Sequence, residues 1–443
     1  MKLWDKGTSV NQLIEKFTIG MDWQLDLLLA PHDVIGSLAH IQMLLKIGII
    51  SPEEWEKLDK FLKNYYNEVS GGKFKIEEGV EDIHSQVELE LTRELGEIGK
   101  KIHSGRSRND QVLVDIRLYC RQQIQAIVDL SQSLFTSLLK LSEKNKDILL
   151  PGYTHFQVAM PSSFGLWFSA YAESLADDLQ LMLAAFKVVN QNPLGSAAGY
   201  GTSFPLDRKM TTDLLGFEDL SYNVVYAQMG RGKTERTLAF AMAGLAATLS
   251  KFAYDICLYN SQNFGFISFP DELTTGSSIM PHKKNPDVFE LIRGKCNKIQ
   301  ALPTEMTLIS NNLPSGYHRD FQVLKESFFP AFENMKDCLQ IMDFALGKAK
   351  VKENILADPR YRYIFSVEEV NKMVLQGESF RDAYKKIGQQ IADGTYQEDH
   401  QVNHTHEGSI GNLCLPEISK KFEHVIRQFN FEQIEEKLNM LTR

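Results

Sequence analysis

The sequence predicts an all-α protein in which mostly helical domains accompany a central bundle of long helices. Residues 111–145 contain neither proline nor glycine, and their apolar side chains recur at helical spacing. Residues 164–186 and 238–259 repeat this spacing. The alternation of β-branched residues with period two that is typical of strands is nearly absent. Long helices and few strands are therefore expected.

The third of these stretches also indicates how the helices pack. Its apolar residues alternate between spacings of four and three, which is a heptad-like pattern typical of helices that cross at a shallow angle. Two more helices are expected, from residue 288 to about 310 and from residue 324 to about 346. Because a single bundle of such helices is slender and leaves apolar surface on its flanks, we expect subunits to associate through it.

A chain of 443 residues is too long for one small core, so several domains are expected. The long helices place the central long-helix bundle domain at residues 109–356. The flanking regions are shorter, more punctuated by turn residues and more charged. They are predicted to form an N-terminal helical domain at residues 1–108 and a small C-terminal helical domain at residues 357–443.

The composition excludes several classes of protein. Apolar residues make up 43% and charged residues 24% of the chain, which is an ordinary globular balance. The net charge of −9 disfavours nucleic acid as a partner. The chain has no run of about 18 apolar residues and no signal-peptide pattern at its start, so a cytoplasmic protein without membrane contact is expected. The five scattered cysteines form no metal-binding or redox spacing and are interpreted as reduced thiols.

Four polar, glycine-containing or otherwise unusual segments interrupt the helices, each beside the end of a long helix, where functional loops tend to lie. They are HSGRSRNDQ at 103–111, PGYTHFQ at 151–157, NPLGSAAGYGTSFPLDR at 192–208 and TGSSIMPHKKNP at 275–286.

Each segment has a functional and an ordinary structural interpretation. The segment at 275–286 has a glycine, two hydroxyls and two lysines, which suits a mobile anion-binding loop or a plain surface loop. His155 is a candidate general acid or base, although a lone histidine is more often structural. Arg106 and Arg108 suit carboxylate or phosphate binding, or a charged helix start capped by Asn109 or Asp110.

A further turn at residues 317–326 offers Tyr317, Gln322 and Lys325 near a helix start. Taken together, the segments hold many hydrogen-bond donors, one histidine and one loop serine, with no phosphate cradle, metal-ligand set or Ser-His-Asp signature. This combination favours acid–base chemistry on a small anionic, carboxylate-bearing substrate.

The motifs support a resemblance to a known family over almost the whole chain. GSSIMPHKKNP resembles the signature loop of the fumarase/aspartase superfamily. Five further segments resemble the argininosuccinate lyase family, a δ-crystallin-like branch, in order and spacing: EDIHSQVELELTRELG, HSGRSRNDQV, PGYTHFQVAMP, NPLGSAAGYGT and LPSGYHRDFQVLKE. The resemblance implies three helical domains, a homotetramer whose active sites are shared between subunits, and cleavage of argininosuccinate to arginine and fumarate without a cofactor or metal.

The resemblance also implies roles for individual residues. Ser277 matches the catalytic loop serine, interpreted as the base that takes the Cβ proton, and His155 matches the histidine that faces the leaving nitrogen. Glu290 would orient that histidine, and the opposite assignment of acid and base stays open. The residues implied to stabilise the developing dianion or to bind substrate are Lys283, Ser278, Asn285, Thr154, Asn109, Arg108, Tyr317, Gln322 and Lys325.

Three positions depart from the family pattern. Gly20 stands where the family usually has a serine at the amino-acid end of the substrate, His282 replaces a glutamine, and acidic residues are missing around Arg231. Because loss of a hydroxyl at residue 20 opens space, one hypothesis is that the substrate carries an N-acyl group. The alternatives are an adenylosuccinate lyase-like enzyme, favoured by His282 alone, and a non-catalytic structural homologue.

Overall fold

The computed structural model describes residues 11–77 and 79–443, and the all-α prediction is confirmed. Six helices precede the long ones: α1 (Gln12–Ile19), α2 (Asp22–Asp26), α3 (Ala30–Lys46), α4 (Pro52–Ser70), α5 (Ile83–Leu95) and α6 (Glu97–Lys100). The middle of the chain contains α7 (Arg108–Lys144), α8 (Phe164–Val189), α9 (Arg208–Leu214), α10 (Val224–Met229), α11 (Lys233–Asn260), α12 (Asp287–Ser310) and α13 (Leu324–Leu346).

Four further α-helices and six short strands follow in the described residues, together with five 3₁₀ helices of three or four residues each. The helices are α14 (Ser366–Leu375), α15 (Phe380–Ala392), α16 (Leu415–Ile426) and α17 (Phe431–Thr442). The strands are β1 (Leu149–Thr154), β2 (Gln157–Ser163), β3 (Gln191–Asn192), β4 (Asp219–Leu220), β5 (Ile267–Ser268) and β6 (Lys350–Val351). They pair two by two, β1 with β2 and β5 with β6 antiparallel, and β3 with β4 parallel.

The five long helices α7, α8, α11, α12 and α13 form one hydrophobic core. With 37 residues, α7 extends for about 55 Å, far beyond a usual globular helix. Helix α11 packs against both α8 and α12. Interior prolines lie in α12 at Pro303 and in α13 at Pro330, where each removes one backbone hydrogen bond without ending the helix.

Helix α11 also has the length and apolar composition of a membrane-spanning helix, and it is the one such helix in the described ranges. Its buried face contributes Leu238, Met242, Leu245 and Leu249 to the central core. Packing within the bundle therefore accounts for its apolar composition.

A second core joins α3, α4 and α5 at the N-terminal end of the bundle. The last helix of the chain packs there as well, because α17 contacts α3 and α9 and buries Leu441. Helix α16 packs instead along α8. A small third cluster forms between α14 and α15 around Val370 and Tyr396. The proposed domain boundaries stay a prediction.

The five cysteines are free thiols in the structure. Cys120, Cys296 and Cys338 are buried in the central core, and Cys257 and Cys414 are half-buried. The interpretation of the cysteines as reduced thiols agrees with these positions.

Candidate active site

A cavity of about 280 Å³ lies where α2, the start of α7 and the turn before α13 meet. Five residues that the sequence predicts to bind substrate line it: Arg108, Asn109, Tyr317, Gln322 and Lys325. These residues come from segments more than 200 positions apart in the chain, and the fold brings them to one place.

The first turn of α7 fixes the position of Arg108 and Asn109. Ser107 is the N-cap, and its Oγ accepts a hydrogen bond from the Asn109 backbone N–H at 3.3 Å. The Ser107 N–H in turn donates to the Asp110 carboxylate at 2.8 Å, which completes a capping box. Arg108 donates to Glu81 at 3.0 Å, so its guanidinium is held at the cavity wall.

Asp110 also fastens a second polar segment to the site. Its other oxygen accepts the backbone N–H groups of Gly195, at 2.9 Å, and Ala197, at 2.8 Å. Burial raises the pKa of Asp110 to about 6, although these backbone donors favour the charged form. The segments at 103–111 and 192–208 thus form one unit, in which Asp110 has a structural role at the start of the helix.

Arg106, the other arginine of the motif, lies away from the cavity lining. It is buried and donates to Ser37 Oγ of α3 at 3.0 Å. Its role is to connect α3 to the segment before α7, so Arg108 is the arginine of this pair that is placed to meet a substrate.

Lys325 is almost fully buried and forms ion pairs with two carboxylates of α2, Asp26 at 2.6 Å and Asp22. Burial opposes the charge on Lys325, but Asp26 and Asp22 outweigh it and raise the pKa of the ammonium group. Burial and the nearby Asp26 raise the pKa of Asp22 to about 6, against the effect of Lys325. An anionic substrate group that approaches Lys325 therefore competes with the two aspartates.

Gln322 and Tyr317 lie in the turn that leads into α13. Gln322 donates to the backbone oxygens of Thr18 and Ile19, both at 3.0 Å, and so holds the N-terminal segment over the cavity. Tyr317 is partly exposed at the cavity mouth. The Gln322 side chain, which is predicted to bind substrate, thus also holds the segment at residues 18–19 in place.

Gly20 adjoins this covering segment, and the structure gives a conformational reason for glycine there. It ends α1 with φ 55° and ψ −129°, a combination that residues with a Cβ atom rarely adopt. An added Cβ would meet only the Glu326 carboxylate, at 4.0 Å. Space is available beside Gly20, but its backbone conformation alone is a sufficient reason for a glycine at this position.

Several cavity residues were not predicted from the sequence. They are Asp22, Asp26, Glu81, Asp82, His84 and Arg319. The sequence contains a signal for some of them, because EDIH at 81–84 belongs to a motif of the family resemblance and Asp22 and Asp26 stand one helical turn apart. Arg231, whose neighbours in the sequence depart from the family pattern, also lines the cavity. It forms an ion pair with Glu235 at 2.8 Å.

His84 lines the cavity and also belongs to a buried charged cluster with Asp33 and Asp115. Its Nδ1 lies 2.8 Å from Asp33 and 3.6 Å from Asp115. Burial disfavours the charged imidazole, but Asp33, Asp115 and Asp82 together outweigh burial and raise the pKa of His84 to about 9. Although these three side chains are close enough to surround a metal ion, the nitrogen nearest the carboxylates is engaged with Asp33. We therefore interpret the cluster as a buried ion pair.

The loop at residues 275–286 carries Ser277, and its two ends are joined by backbone hydrogen bonds between Thr275 and Asn285. Ser277 Oγ accepts the backbone N–H groups of Ile279, at 3.3 Å, and Met280, at 3.2 Å. The remaining predicted loop residues, Ser278 and Lys283, are exposed. In this chain the loop does not line the cavity.

His155 and Thr154 lie at the tip of a β-hairpin that was not predicted. Strands β1 and β2 pair antiparallel, and the two residues between them, His155 and Phe156, have φ angles of 54° and 58°. Positive φ at both positions is typical of a type I′ turn. Thr154 and His155 are exposed, and Phe156 is 75% exposed, so the hairpin presents its tip away from the described part of its own chain.

The predicted catalytic residues do not come together within one chain. Glu290 is exposed in the first turn of α12, and no hydrogen bond or ion pair within residues 11–77 and 79–443 joins it to His155. The cavity lining contains neither of them, nor Ser277. The predicted site residues thus fall into three separate groups, which lie in the cavity, on the loop and on the hairpin. Glu290 follows the loop in the sequence.

Comparisons with known proteins identify the family. The family model described as Lyase matches residues 8–301. An argininosuccinate lyase of Bacteroides thetaiotaomicron is 61% identical over 440 residues, and the match covers 99% of each chain. That of Parabacteroides distasonis is 62% identical over 98% of both chains. That of Thermotoga neapolitana is 37% identical over 88% of this chain and 98% of its own.

Solved structures share the fold at low sequence identity. An EDDS lyase variant with bound fumarate has a TM-score of 0.77 at 19% identity and covers 98% of this chain and 95% of its own. A class II fumarase from Schistosoma mansoni has a TM-score of 0.69 at 15% identity, covering 91% and 90%. These structures show the fold, and the relatives above 60% identity over almost the full length show the family. The chain belongs to the argininosuccinate lyase family.

Proposed function

We propose that this enzyme cleaves argininosuccinate by β-elimination and releases arginine and fumarate. The observation that carries the proposal is the cavity in which Asn109, Tyr317, Gln322 and Lys325 meet, because each was expected to bind the arginine half of the substrate. The cavity holds cationic and anionic side chains side by side, which suits a substrate that bears a carboxylate, an ammonium group and a guanidinium group.

The elimination removes a proton from a carbon beside a carboxylate, so negative charge develops on that carboxylate in the transition state. Lys283, Asn285, Ser278 and backbone N–H groups of the loop at 275–286 are proposed to stabilise this charge. Thr154 is proposed to bind the succinyl carboxylate. Closure of the loop would exclude water, which strengthens each of these electrostatic contacts.

Ser277 is proposed as the base that takes the Cβ proton. The base must be the serine alkoxide, and a serine hydroxyl in water is too weak an acid to form it. The site must therefore stabilise the alkoxide. The two backbone N–H groups directed at Ser277 Oγ, from Ile279 and Met280, supply donors of the kind that stabilise an oxyanion. His155, oriented by Glu290, is proposed to protonate the leaving nitrogen, and the reverse assignment of these two roles stays open.

The separation of the cavity, the loop and the hairpin supports a homotetramer in which each active site takes residues from more than one subunit. Apolar side chains exposed along the long helices also favour assembly through the bundle, as expected from their length. They include Leu181, Phe240, Tyr254, Leu291, Leu308 and Phe344. The protein is proposed to act in the cytoplasm on this small anionic substrate.

Replacing the loop serine tests the catalytic assignment. Ser277→Ala is expected to lower the rate of fumarate release by at least a hundredfold while leaving the oligomer intact, because a loop side chain carries the chemistry without supporting the fold. The measurements are ultraviolet absorbance of fumarate and light scattering. Ser268→Ala, which removes the hydroxyl of an exposed serine in β5, serves as the matched control. An unchanged rate in Ser277→Ala would contradict the mechanism.

Mixed oligomers test whether the sites are shared. Ser277→Ala and His155→Asn are each expected to be inactive alone, but their co-expressed hybrids regain activity if some sites receive both intact residues. The control is Ser277→Ala with Lys283→Ala, which lie on the same loop and are not expected to restore one another. Failure of the first pair to regain activity would contradict sharing of the loop and the hairpin between subunits.

The substrate itself is tested by offering three compounds in parallel. Argininosuccinate is expected to be turned over faster than adenylosuccinate, the substrate of the alternative that rests on His282 alone. The N-acylated form of argininosuccinate tests the hypothesis about Gly20. Faster turnover of argininosuccinate itself, which has a free α-amine, would exclude that hypothesis. A complete lack of fumarate release from all three would favour the non-catalytic homologue instead.

A further inference from the structure

Arg319 begins the short 3₁₀ helix (Arg319–Gln322) that leads into α13, and it lines the cavity of the candidate active site. Its guanidinium donates to acceptors from three segments of the chain. Nε donates to Gln322 Oε1 at 3.1 Å, and Nη2 donates to the Thr18 carbonyl and to Glu81 Oε1, each at 3.3 Å. One side chain therefore connects this turn, the end of α1 and the wall of the cavity.

The contact with Arg319 fixes the orientation of the Gln322 amide. A guanidinium only donates hydrogen bonds, so the amide atom that faces it must be the oxygen. The amide nitrogen then faces the carbonyls of Thr18 and Ile19, at 3.0 Å each. An amide turned by 180° would place its N–H group against Arg319 and its oxygen against these carbonyls. The conformation of Gln322 is thus set before a substrate arrives, which lowers the cost of binding.

Helix α1 depends on the same donors. None of its side chains that the structure describes is buried, and Phe17 is 85% exposed, so apolar packing within the chain holds this helix weakly. Thr18 and Ile19 lie in its last turn, where carbonyls lack partners inside the helix and a positive charge is favourable. Gln322 and Arg319 supply donors to these carbonyls, and Arg319 also supplies the charge.

Glu81 extends the network to an arginine that is predicted to bind substrate. Its Oε2 accepts a hydrogen bond from Arg108 at 3.0 Å, while its Oε1 accepts the one from Arg319. The Arg319 side chain is 53% exposed, so its ion pair with Glu81 contributes little to the stability of the fold. Removal of Arg319 is therefore expected to change the arrangement of the cavity without unfolding the protein.

We propose that Arg319 is a positioning residue, which holds α1 over the cavity and orients Gln322 and Arg108 for the substrate. This inference rests on the proposed function, which assigns the arginine half of argininosuccinate to the cavity. The groups that Arg319 orients hold the substrate before and during the reaction alike. Its loss therefore weakens binding of the ground state and of the transition state equally, so that KM rises and kcat is preserved.

Steady-state kinetics of Arg319→Ala with argininosuccinate tests the proposal. KM is expected to rise about tenfold or more, while kcat stays within about twofold of its original value. Arg319→Lys keeps the charge without the fork of donors, so an intermediate KM is expected. Arg427→Ala, which removes an exposed arginine paired with Glu423 on α16, is the matched control and leaves both constants unchanged. An unchanged KM in Arg319→Ala, or a fall in kcat alone, overturns the proposal.

A double variant shows whether Arg319 acts through Gln322. In a Gln322→Ala background, Arg319→Ala is expected to raise KM by a much smaller factor than it does in the unaltered protein, because the side chain that it orients is already absent. Equal factors in the two backgrounds would mean that the two side chains act independently, which contradicts the proposal.

Hydrogen exchange of the α1 backbone tests the same role without any substrate. The amides of α1 are expected to exchange several-fold faster in Arg319→Ala than in the unaltered oligomer, because the end of the helix loses a donor and a charge. Equal exchange rates overturn the proposal. A lack of fumarate release by the unaltered protein would contradict the proposed function instead, and the exchange rates would still decide the role of Arg319.

Discussion

At the scale of single residues, the charges of the candidate site are balanced by neighbours in the same chain. Lys325 lies between two aspartates, Arg108 contacts Glu81, and Arg231 contacts Glu235. Because each cation already has a carboxylate partner, binding of substrate exchanges one ion pair for another. Such an exchange orients the substrate strongly and adds limited net affinity.

The His84 ion pair makes stability depend on pH. Since its folded pKa of about 9 exceeds the usual 6.5, the stabilisation is complete below pH 6.5 and is lost as the pH rises through 9. The loss is on the order of 3 kcal/mol. Urea unfolding at fixed protein concentration, at pH 6 and above pH 9, measures it. In His84→Gln the difference between the two pH values is expected to shrink, and an equal difference would contradict the assignment.

At the scale of elements, the start of α7 organises the site. One carboxylate, Asp110, accepts the backbone N–H of the N-cap Ser107 and also holds the segment around Gly195, so two motifs far apart in the sequence share a single support. The sequence suggested Asn109 or Asp110 as the cap. In the structure Ser107 is the N-cap, and Asp110 occupies the third position of the helix, where it completes the capping box.

Asp110→Asn is expected to destabilise the protein by about 1–3 kcal/mol, because an amide offers one acceptor oxygen where the carboxylate uses two. Ser107→Ala removes only the cap hydrogen bond and is expected to cost about 1 kcal/mol. Urea unfolding compares the two variants. If Asp110→Asn is no more destabilising than Ser107→Ala, the bonds to Gly195 and Ala197 do not contribute.

The elements themselves were predictable to different degrees. The long helices follow from local periodicity, since residues 111–145 had to be helical to bury their apolar face. The β1–β2 hairpin could not be recognised, because its turn residues, His155 and Phe156, are unusual for a type I′ turn and its strands lack alternation. Residues 355–361 pack against β1, and α8 packs against β2.

At the scale of the whole molecule, the long helices display apolar residues that a monomer leaves in water. Leu308→Asp is expected to shift the oligomer towards smaller species and to lower activity, because a buried unpaired carboxylate is costly at an interface. Light scattering coupled to size-exclusion chromatography measures the change. Leu375→Asp, on the exposed side of α14, is the matched control. A full-sized oligomer in Leu308→Asp would place the interface elsewhere.

The sequence by itself determined the fold class and the family, and it supplied the residues that are proposed to carry the chemistry, because helical periodicity and contiguous motifs are local properties of a chain. Only the tertiary structure decided which of these residues meet. It placed Lys325 between Asp22 and Asp26, brought His84 into the cavity lining and left Ser277 and His155 apart. Such contacts join residues hundreds of positions apart, so they depend on how the helices pack.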